Sequence, residues 1–560
     1  MHKLSALLLA LLLLVSLAAC GSNNDSSSAP VSFAEGEQTA SSTSSDSAAD
    51  VTTTTSEKST TSAHDRSTTT DGKGQTISKT TTSTAPVVTY EKPVTINTAV
   101  LYNKQTSAFD SQAESMRQTV LNAKDTLKPS GNGKTYYISY RGNDEADGLS
   151  PATAWKSPAK AANKLNFRAG DVVLFERGGV YRDVGIEVQS GVSYGAYGTG
   201  PKPQLYGGDK NYADESLWQK TSVTNVWRTK FTQVKGSTAS TIEDVGNIVF
   251  DYGKICASDN KRLSSSKLQA DYDFYYDAKN DYVYLYLSKG NPGKLHESIE
   301  LAPNEHIIRI PYGATNVVIE NLCIKYTAAH GVSCSNPSNV TVRGCEIGYI
   351  GGGLLTSTVR FGNGIEFYGI TNNCTAENNW IYQCFDAGYT NQGENCWQSN
   401  IRVKNNLIEY CVYNIEVWTT ETIGKGGMKN CTFSDNILRF AGYGFGTNAR
   451  YGSSTGFVGN ISYYDNIVPS ENTVIQNNIL DCSYRYLVSI SYPNDTQGRG
   501  PTITGNIWNQ KPFKNDDTTA CIDRLLISGK AETLKCGTLD EMKASVAKVD
   551  KAPKAITLEK

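Results

Sequence analysis

A short pattern that returns along residues 315–508 constrains the fold of this chain more than any other feature. Each copy contains aliphatic residues, a polar residue, an Asn-Asn pair or a near equivalent, and then another aliphatic residue. The steps between successive copies are 23, 34, 27, 30, 42 and 28 residues, for copies centred on Asn321, Gly344, Asn378, Asn405, Asp435, Asn477 and Gly505. Such repeats predict a solenoid of β-coils, in which each coil buries its inner face against its neighbours.

The length and charge of the chain agree with this prediction and exclude some functions. A solenoid grows lengthwise, so 560 residues can belong largely to one such domain. The net charge of -2 argues against an electrostatic nucleic-acid binder. The sequence has no Gly-rich phosphate loop of the nucleotide-binding type and no Cys/His set at zinc spacing. We therefore expect a monomer without a nucleic-acid partner, cofactor or metal.

The first 20 residues have the pattern of an export signal. Lys3 precedes the apolar run Leu7–Leu17, which is too short to span a membrane as a helix. Leu17-Ala18-Ala19-Cys20 resembles a bacterial lipobox, which implies that Cys20 is lipidated and becomes the mature N-terminus. The alternative is an ordinary cleaved signal with a chance cysteine. The lipobox implies a protein anchored by lipid on the extracellular face of a bacterial membrane.

The rest of the chain divides into four predicted parts. Residues 21–89 are Ser/Thr-rich and too poor in apolar residues to form a core, which predicts a disordered tether. Residues 90–133 form an N-terminal segment, whose amphipathic stretch 108–127 predicts a helix that covers the end of the solenoid. Residues 134–515 form the β-helix, and residues 516–560 form a C-terminal extension with a helix that opens at the capping box Thr538–Glu541.

Residues of about 209–300 interrupt the repeat and predict a β-insertion. Asp273–Asp277 and Tyr282–Leu287 flank the turn sequence Ala-Lys-Asn-Asp, which predicts a hairpin. Four acidic residues of this region suit either a calcium site or ordinary turns and strand ends, and the second interpretation is favoured: Asp271, Asp273, Asp277 and Asp281.

Cysteine usage leaves two interpretations open. Without Cys20, 12 of the 13 cysteines remain, and disulfides can persist in an exported protein. However, Cys384 and Cys411 each lie six residues after a repeat Asn, which favours stacked, buried thiols. Cys521 and Cys536 are the candidates for a disulfide.

Segments near the start of the folded part resemble a known group of proteins. They are Tyr136–Asp144, Ser150–Trp155, Ala169–Phe175 and Tyr197–Pro201. They are similar to the opening of secreted, right-handed parallel β-helix proteins of the pectate-lyase-like superfamily, and the resemblance extends over about residues 134–510. It implies an all-β, right-handed parallel β-helix solenoid. That superfamily contains polysaccharide lyases, glycoside hydrolases and epimerases, so the resemblance implies no single reaction.

A second strand in each coil predicts the functional face. Alternation with period two sends the residues on either side of its third position inward and the third position outward. The predicted outward residues are Ser333, Glu366, Thr390, Glu416, Gly446 and Ser489, followed two positions later by Tyr368, Gln392, Trp418 and Asn448. Carboxylates, amides and aromatic rings in one strip are typical of a sugar-binding surface.

Two glutamates of this strip are the candidate catalytic pair. Glu366 and Glu416 lie two coils apart, so their backbones should be about 9.6 Å apart, a separation that suits inverting glycoside hydrolysis. Asp386 lies just before the intervening strand, and a lean toward either glutamate would suit a retaining mechanism instead. The plain alternative is that both glutamates are solvent-exposed strand residues.

Three further residues are candidates for substrate contacts. His330 precedes the glycine of its coil, and it either reaches the same site or is hydrogen-bonded at a bend. Arg360 and Arg450 flank the face on long loops, where each either binds a carboxylated sugar or braces its loop. The other outward strand carries mixed charges without aromatic rings and predicts an ordinary solvated face: Glu320, Arg343, Glu377 and Lys404.

Three functions remain in view at this point. The leading hypothesis is a surface-anchored glycoside hydrolase that acts on a polysaccharide, with Glu366 and Glu416 as acid and base and with Trp418 and Tyr368 as subsites. The second is a polysaccharide lyase, which would use Lys or Arg as the base and often calcium. The predicted strip contains no Lys or Arg, which disfavours the lyase. The third is a non-catalytic, glycan-binding surface lipoprotein.

Overall fold

The computed structural model describes residues 90–162, 166–232, 238, 240–420, 426–449, 458–464, 470–490, 500–511, 520–527, 530–535 and 537–559. The predicted signal peptide with Cys20 and the predicted tether 21–89 therefore lie outside the described residues. Three long sheets of 14, 10 and 10 strands dominate the described chain. Among its helices, none has the length and hydropathy that crossing a membrane requires.

The strands of the three sheets follow one another in every coil. The first sheet contains Thr135–Ile138, Val172–Glu176, Ser193–Tyr197, Thr315–Glu320, Ser338–Arg343, Thr371–Asn372, Thr375–Glu377, Trp397–Ser399, Arg402–Lys404, Gly427–Lys429, Thr432–Ser434, Ser470–Glu471, Val474–Gln476 and Thr502–Thr504. The second contains Val180–Tyr181, Gln204–Tyr206, Cys323–Thr327, Glu346–Ile350, Trp380–Cys384, Leu407–Glu409, Ile437–Ala441, Ile479–Ser483, Ile507–Gln510 and Ala555–Leu558. The third contains Ile186–Glu187, Ile308–Ile310, Val332–Ser335, Ile365–Tyr368, Ala387–Glu394, Tyr413–Thr420, Gly459–Tyr464, Tyr486–Ile490, Ala520–Ile527 and Lys530–Lys535.

Neighbouring strands in these sheets are parallel, apart from the antiparallel pair that ends the third sheet. One coil runs through Val332–Ser335 of the third sheet, Ser338–Arg343 of the first and Glu346–Ile350 of the second, and the chain then returns to the third sheet at Ile365. The predicted all-β, parallel β-helix solenoid is confirmed.

The interior of the solenoid is a stack of apolar side chains from all three sheets. Alternate residues of each strand point inward, so equivalent positions in successive coils lie on top of one another. In the first sheet, a fully buried row consists of Ile319, Val342, Ala376, Val403, Phe433, Ile475 and Ile503. Burial of each such aliphatic or aromatic side chain contributes about 1.5–3 kcal/mol, which the aliphatic positions of the repeat supply once per coil.

The first residue of each Asn-Asn pair forms the bend between the first and second sheets. Asn378 and Asn405 have φ values of 55°, in the left-handed region. Asn tolerates this conformation, and Gly adopts it without a steric cost. The substitutes for Asn in the repeat obey the same rule, because Gly344 has φ 62° and Gly505 has φ 71°.

The second residue of each pair forms a buried asparagine ladder. Nδ2 of each member donates to Oδ1 of the next at 2.9–3.0 Å, in the order Asn379, Asn406, Asn436, Asn478 and Asn506. The same Oδ1 atoms accept backbone N–H groups at the bends. At the last coil, Oδ2 of Asp550 replaces the next asparagine and accepts from the backbone N–H of Asn506 at 3.0 Å. The repeat therefore encodes both the bend and the hydrogen bonds that satisfy it.

The helix predicted within 108–127 forms as α1, Asp110–Leu121, but its position corrects the prediction. It lies along the outer face of the second sheet rather than over the end of the solenoid. Nη2 of Arg117 contacts Oε1 of Glu409 at 3.0 Å, and the guanidinium lies 4.8 Å from the ring centroid of Trp380. The physical reason is a row of aromatic side chains on that face, which needs cover: Tyr206, Tyr326, Tyr349, Tyr382 and Tyr410.

The insertion forms two small antiparallel sheets with a core of their own. One contains Gln219–Lys220, Val226–Lys230, Phe274–Asp277 and Tyr282–Tyr286, and the other contains Val245–Phe250, Ile255–Cys256 and Ile299–Pro303. The predicted hairpin is present, because Phe274–Asp277 pairs antiparallel with Tyr282–Tyr286. A short helix, α2, spans Pro292–Leu295.

The acidic residues of the insertion serve turns and ion pairs. Asp271 accepts from the backbone N–H of Ser288 at 2.6 Å, and Asp273 accepts from two backbone N–H groups and pairs with Arg262. Asp277 accepts from Asn280 in the hairpin turn, and Lys230 contacts Asp281 at 3.4 Å. These contacts support the interpretation of turns and strand ends over a calcium site.

The C-terminal part corrects the predicted boundary at residue 515. Ala520–Ile527 adds a parallel strand to the third sheet, and Ala555–Leu558 adds one to the second. The helix α4, Leu539–Val546, forms with both hydrogen bonds of the predicted capping box in place. Another short helix, α3, spans Gly446–Ala449. The solenoid therefore continues beyond the extent of the repeat pattern.

The described cysteines are buried thiols. Ten of them are free and buried: Cys256, Cys323, Cys334, Cys345, Cys374, Cys384, Cys396, Cys411, Cys431 and Cys482. This agrees with the interpretation of stacked thiols in this part of the chain. The disulfide suggested for Cys521 and Cys536 involves side chains that the structure does not describe.

Candidate active site

The predicted strip exists on the third sheet and is longer than predicted. Parallel pairing places its members in register, coil after coil: Glu187, Arg309, Ser333, Glu366, Thr390, Glu416, Ser462, Ser489 and Asp523. We call this row the carboxylate row. A second row lies two residues further along the strands and contains Tyr368, Gln392, Trp418 and Tyr464. Glu366 and Glu416 therefore lie on the same sheet, two coils apart, with Thr390 between them.

One coil of the predicted strip was aligned wrongly. Gly446 and Asn448 belong to the helix α3 and not to a strand of the third sheet. The strand of that coil is Gly459–Tyr464, in which Ser462 pairs with Glu416. The segment Asn460-Ile461-Ser462-Tyr463 matches the pattern of Asn414-Ile415-Glu416-Val417, so the correct strand was visible in the sequence. A long connection places it 16 residues later than the predicted segment.

The carboxylate row is more enclosed than an open strand face would be. Glu366 has 9% of its surface exposed, Glu416 has 1% and Thr390 has none. Because coils stack about 4.8 Å apart, each side chain of the row is flanked closely by its neighbours in register. The two glutamates are therefore not the solvent-exposed strand residues of the plain alternative.

Glu366 is held by side chains from the preceding coil and from the bend before its own strand. Its Oε2 accepts from Oγ of Ser333 at 3.3 Å and lies 3.2 Å from Nε2 of His330. The side chain of Asn363 also donates to this carboxyl. Ser333 and His330 belong to the preceding coil, on the side of Glu366 that faces away from Glu416. Asn363 lies at the bend before the strand of Glu366.

The environment of Glu366 favours its protonated form. Burial raises the pKa of Glu366 to about 8, because a buried carboxylate loses its hydration. The hydrogen bond from Ser333 opposes this rise in pKa, whereas the nearby charges of Glu416 and Asp386 support it. At neutral pH the carboxyl therefore carries a proton, as a general acid must.

Glu416 is also held by side chains of the preceding coil. Its Oε2 accepts two hydrogen bonds from the preceding coil, from Oγ1 of Thr390 at 2.7 Å and from Nε2 of Gln392 at 2.7 Å. Two donors on one oxygen suit a carboxylate and orient it. The carboxyl groups of Glu416 and Glu366 both lean toward the coil that precedes their own, so their separation stays near two coil spacings, roughly 9.6 Å.

Asp386 lies at the predicted bend, directly before the strand Ala387–Glu394. Its backbone N–H donates to the carbonyl of Gly362 at 3.1 Å, and its carbonyl accepts from Val412 and Tyr413. Its side chain is partly exposed and close enough to Glu366 to raise the pKa of that carboxyl, although it contributes less than Glu416 does. Asp386 is thus a third carboxylate at the same site.

The predicted aromatic and amide contacts border the pair of glutamates. Tyr368, Gln392 and Trp418 are in register on three successive coils, and each is partly exposed. Asp386, directly before the start of its strand, is also partly exposed, whereas Thr390 between the two glutamates is buried.

The two predicted arginine contacts have different outcomes. Arg360 is 6% exposed, and its guanidinium donates to the carbonyls of Gly352, Ser258, Ala449 and Gly246. It braces loops and does not lie on the face, so the predicted contact with substrate is wrong. Its burial was not visible from the sequence because its partners come from the insertion and from α3. Arg450 lies outside the described residues.

The sequence-based prediction missed three residues of this site. His306 stacks on His330 with a centroid distance of 5.0 Å, and Asn363 donates its backbone N–H to Nδ1 of His330 at 2.8 Å. Arg309 belongs to the carboxylate row, where it contacts Glu187 at 3.3 Å. A search for the inward alternation Ile308, Ile310 would have found Arg309 as an outward residue. No pattern marks His306 or Asn363, which act from bends.

A separate cluster of potential metal ligands lies on the second sheet. Asp481, Cys482 and Glu559 offer ligand atoms within 4.8 Å of one another. Ser107 donates to Asp481, Nδ2 of Asn509 donates to both carboxylates, and Arg439 contacts Asp481 at 3.2 Å. Hydrogen bonds and a cation therefore already satisfy these two acids.

Comparisons with known proteins identify no family. No family model matches the chain, and no curated protein matches it. Several solved structures resemble the chain at low identity and with TM-scores below 0.5. A structure of XylC with xylose has 11% identity and a TM-score of 0.42, over 76% of this chain and 82% of that one. A glycoside hydrolase has 10% identity and a TM-score of 0.38, over 76% and 96%, and pectate lyase Pel9A has 11% and 0.33, over 77% and 87%.

Proposed function

We propose that this protein is a carbohydrate-active enzyme, namely a glycoside hydrolase that cleaves a polysaccharide with inversion. Glu366 is the general acid, which protonates the leaving oxygen. Glu416 is the general base, which activates a water molecule on the opposite face of the sugar ring. Asp386 is a third carboxylate beside the acid. Tyr368, Gln392 and Trp418 contact the sugar rings and hydroxyls next to the scissile bond.

One observation carries the proposal: two glutamates lie in register on one sheet, and burial raises the pKa of the first, Glu366, to about 8. The raised pKa keeps Glu366 protonated at neutral pH, as a general acid requires, and the hydrogen bonds from Thr390 and Gln392 orient the carboxyl of Glu416. In an acid–base pair one carboxyl donates a proton and the other accepts one, and we assign these roles to Glu366 and Glu416 in that order. Their separation of roughly two coil spacings lies at the upper limit of the range for inverting enzymes, and it is too large for a nucleophile and acid in a retaining enzyme.

The enclosure of Glu416 adds a requirement to the proposal. With 1% of its surface exposed, Glu416 cannot meet a sugar unless a neighbouring side chain moves. Gln392 and Trp418 are the partly exposed side chains beside it. We expect one of them to swing aside when a substrate binds.

The experiment is a reducing-sugar screen of the fragment that begins at about Tyr90 against a panel of polysaccharides. We expect release of reducing ends from at least one polymer by the wild-type fragment, and loss of this release in Glu366→Gln and Glu416→Gln. NMR of the first product should show an inverted anomeric configuration. Full activity in both variants on a cleaved substrate would exclude this pair. Tight binding on a glycan array without cleavage would indicate the non-catalytic alternative.

One observation favours a second candidate, a polysaccharide lyase. Arg309 lies in the carboxylate row, two coils before Glu366, so the row does contain a basic residue. Lyases of this fold class typically use Lys or Arg as a base and often calcium. Products with an ultraviolet-absorbing double bond from a uronate polymer, and their loss on chelation of calcium, would support the lyase. The hydrolase proposal involves no metal.

We also propose where the protein is located in the cell. The lipobox around Cys20 supports a lipid anchor on the extracellular face of a bacterial membrane, with residues 21–89 as the tether and a monomer as the working unit. Metabolic labelling with a radioactive fatty acid tests the anchor. Label in the wild-type chain and none in Cys20→Ala is expected, and equal label in both would exclude lipidation at Cys20.

A further inference from the structure

His330 lies between a backbone donor and the proposed acid, so both of its ring nitrogens are engaged. The backbone N–H of Asn363 donates to Nδ1 at 2.8 Å, and Nε2 lies 3.2 Å from Oε2 of Glu366. The residue is 6% exposed. The ring is packed between the ring of His306 at a centroid distance of 5.0 Å and the edge of Phe361 at 5.0 Å. A substrate has little access to this side chain, in contrast to the predicted role of His330 in substrate binding.

The contact with Asn363 fixes which nitrogen of His330 carries the proton. A backbone N–H is always a donor, so Nδ1 must accept and must be unprotonated. A neutral imidazole then carries its proton on Nε2. Nε2 is therefore a donor toward Oε2 of Glu366. Because Oε2 also accepts from Ser333, the acid proton of Glu366 belongs on Oε1.

The surroundings of His330 keep its ring neutral. The backbone N–H of His330 donates to Nδ1 of His306 at 3.1 Å, and the two rings are stacked with an interplanar angle of 12°. The titratable groups that face this pair are Glu366 beside His330 and Arg309 beside His306. Burial lowers the pKa of His330 well below its usual value, and the neighbouring His306 acts in the same direction. Burial also lowers the pKa of His306 to about 3.

We propose that His330 is the positioning residue of Glu366: its neutral ring, locked by the Asn363 backbone, donates Nε2–H to Oε2 and so directs the acid proton to Oε1. His330 itself exchanges no proton in the reaction. It orients the carboxyl and stabilises the carboxylate that is left after proton transfer. The role in catalysis rests on the proposed hydrolase function, whereas the tautomer and the hydrogen bond do not.

The first measurement addresses the protein alone. The chain has five histidines, so ¹⁵N NMR of the histidine-labelled protein gives a small set of ring signals, and His330→Asn identifies those of His330. We expect Nε2 protonated and Nδ1 unprotonated across pH 5–9, without titration near pH 6.5. A protonated Nδ1, or a titration near the ordinary histidine value, would overturn the proposal.

The second measurement uses a matched pair of variants. His330→Gln keeps a donor near the position of Nε2, whereas His330→Asn keeps an acceptor near the position of Nδ1 and loses the donor to Glu366. Since a donor stabilises the carboxylate, we expect His330→Asn to raise the pKa of Glu366 by about one unit, and His330→Gln to leave it near the wild-type value. Carbon NMR of glutamate-labelled protein, with Glu366→Gln to assign the signal, gives this pKa without any substrate.

Kinetics then separate positioning from a merely structural role. With a cleaved substrate, we expect His330→Asn to lower kcat about 10-fold or more with little change in KM, and His330→Gln to restore most of kcat. Equal values for the pKa of Glu366 in the wild type and His330→Asn would overturn the positioning role. A raised pKa in His330→Asn together with no cleavage of any polymer would leave the hydrogen bond established and refute the hydrolase function instead.

Discussion

Glu366 and Glu416 lie in register on one parallel sheet, two coils apart, and their carboxyl groups lean in the same direction along the solenoid. Because both side chains point the same way, the distance between the two carboxyl groups stays close to the distance between their backbones. Side chains that pointed toward each other would shorten it. The strand spacing of the sheet therefore sets the distance between the proposed acid and base. Side chains from the preceding coil set the direction of each lean.

The paired glutamates should be indispensable for cleavage while contributing little to folding. We expect Glu366→Gln and Glu416→Gln each to lower kcat about 10²–10⁴-fold, because each loses one acid or base function. Initial rates on the polysaccharide identified in the screen measure this effect, and circular dichroism checks the fold. The matched control is Glu377→Gln in the first sheet, where the glutamate pairs with Lys404 at 3.1 Å. A loss of activity in the control equal to that in the two variants would contradict the assignment.

The pKa of Glu366 predicts the alkaline side of the pH profile. A general acid works only while protonated, so we expect kcat/KM to fall above about pH 8, the value to which burial raises the pKa of Glu366. Rate measurements from pH 5 to 10 give this limb. Glu366→Gln, whose amide does not titrate, should lack the limb in its residual activity. A limb that persists unchanged in this variant belongs to another group.

The asparagine ladder should be a major source of stability. Nδ2 of Asn406 donates to the carbonyl of Ala376 at 2.9 Å and to Oδ1 of Asn436 at 3.0 Å, all in the buried interior. Asn406→Asp replaces this donor with an oxygen that faces two acceptors. We expect the free energy of unfolding to fall by about 3 kcal/mol or more, which urea unfolding measures.

An exposed asparagine provides the control for the ladder. Nδ2 of Asn400 donates to Oδ1 of Asn372 at 3.0 Å in an exposed row of the first sheet, and its φ of 56° is one that Asp also tolerates. Asn400→Asp should change the free energy of unfolding by less than about 0.5 kcal/mol. Similar losses in Asn400→Asp and Asn406→Asp would mean that burial of the ladder is not what makes it stabilising.

The sequence was sufficient for the repetitive part of the molecule, because each coil repeats the same local physics. Aliphatic alternation identified the inward residues, and this placed Glu366 and Glu416 on one wall. The prediction failed where long connections intervene: the strand with Ser462 was assigned to the region of α3, and Arg360 was placed on the face rather than in contact with the insertion. Contacts between segments far apart in the sequence leave no periodic signal. His306 and Asn363 escaped notice for the same reason, since they act from bends and not from strand positions.

The histidine pair predicts how stability depends on acid. Burial lowers the pKa of His306 to about 3 and that of His330 well below its usual value, whereas both titrate near 6.5 in the unfolded chain. Between these values the unfolded state binds more protons than the native state, so the free energy of unfolding must fall as the pH falls below 6.5. The contribution is at most about 1.4 kcal/mol per pH unit for each histidine.

A variant isolates this contribution from that of the many carboxylates. His306→Asn keeps an acceptor for the backbone N–H of His330 but removes one titrating ring. Urea unfolding at pH 4.5, 5.5, 6.5 and 7.5 should therefore show a shallower decline in the variant than in the wild type below pH 6.5, with parallel curves above it. Identical declines in both proteins would mean that His306 is protonated in the folded state below pH 6.5, in which case its Nδ1 could not accept the backbone N–H of His330.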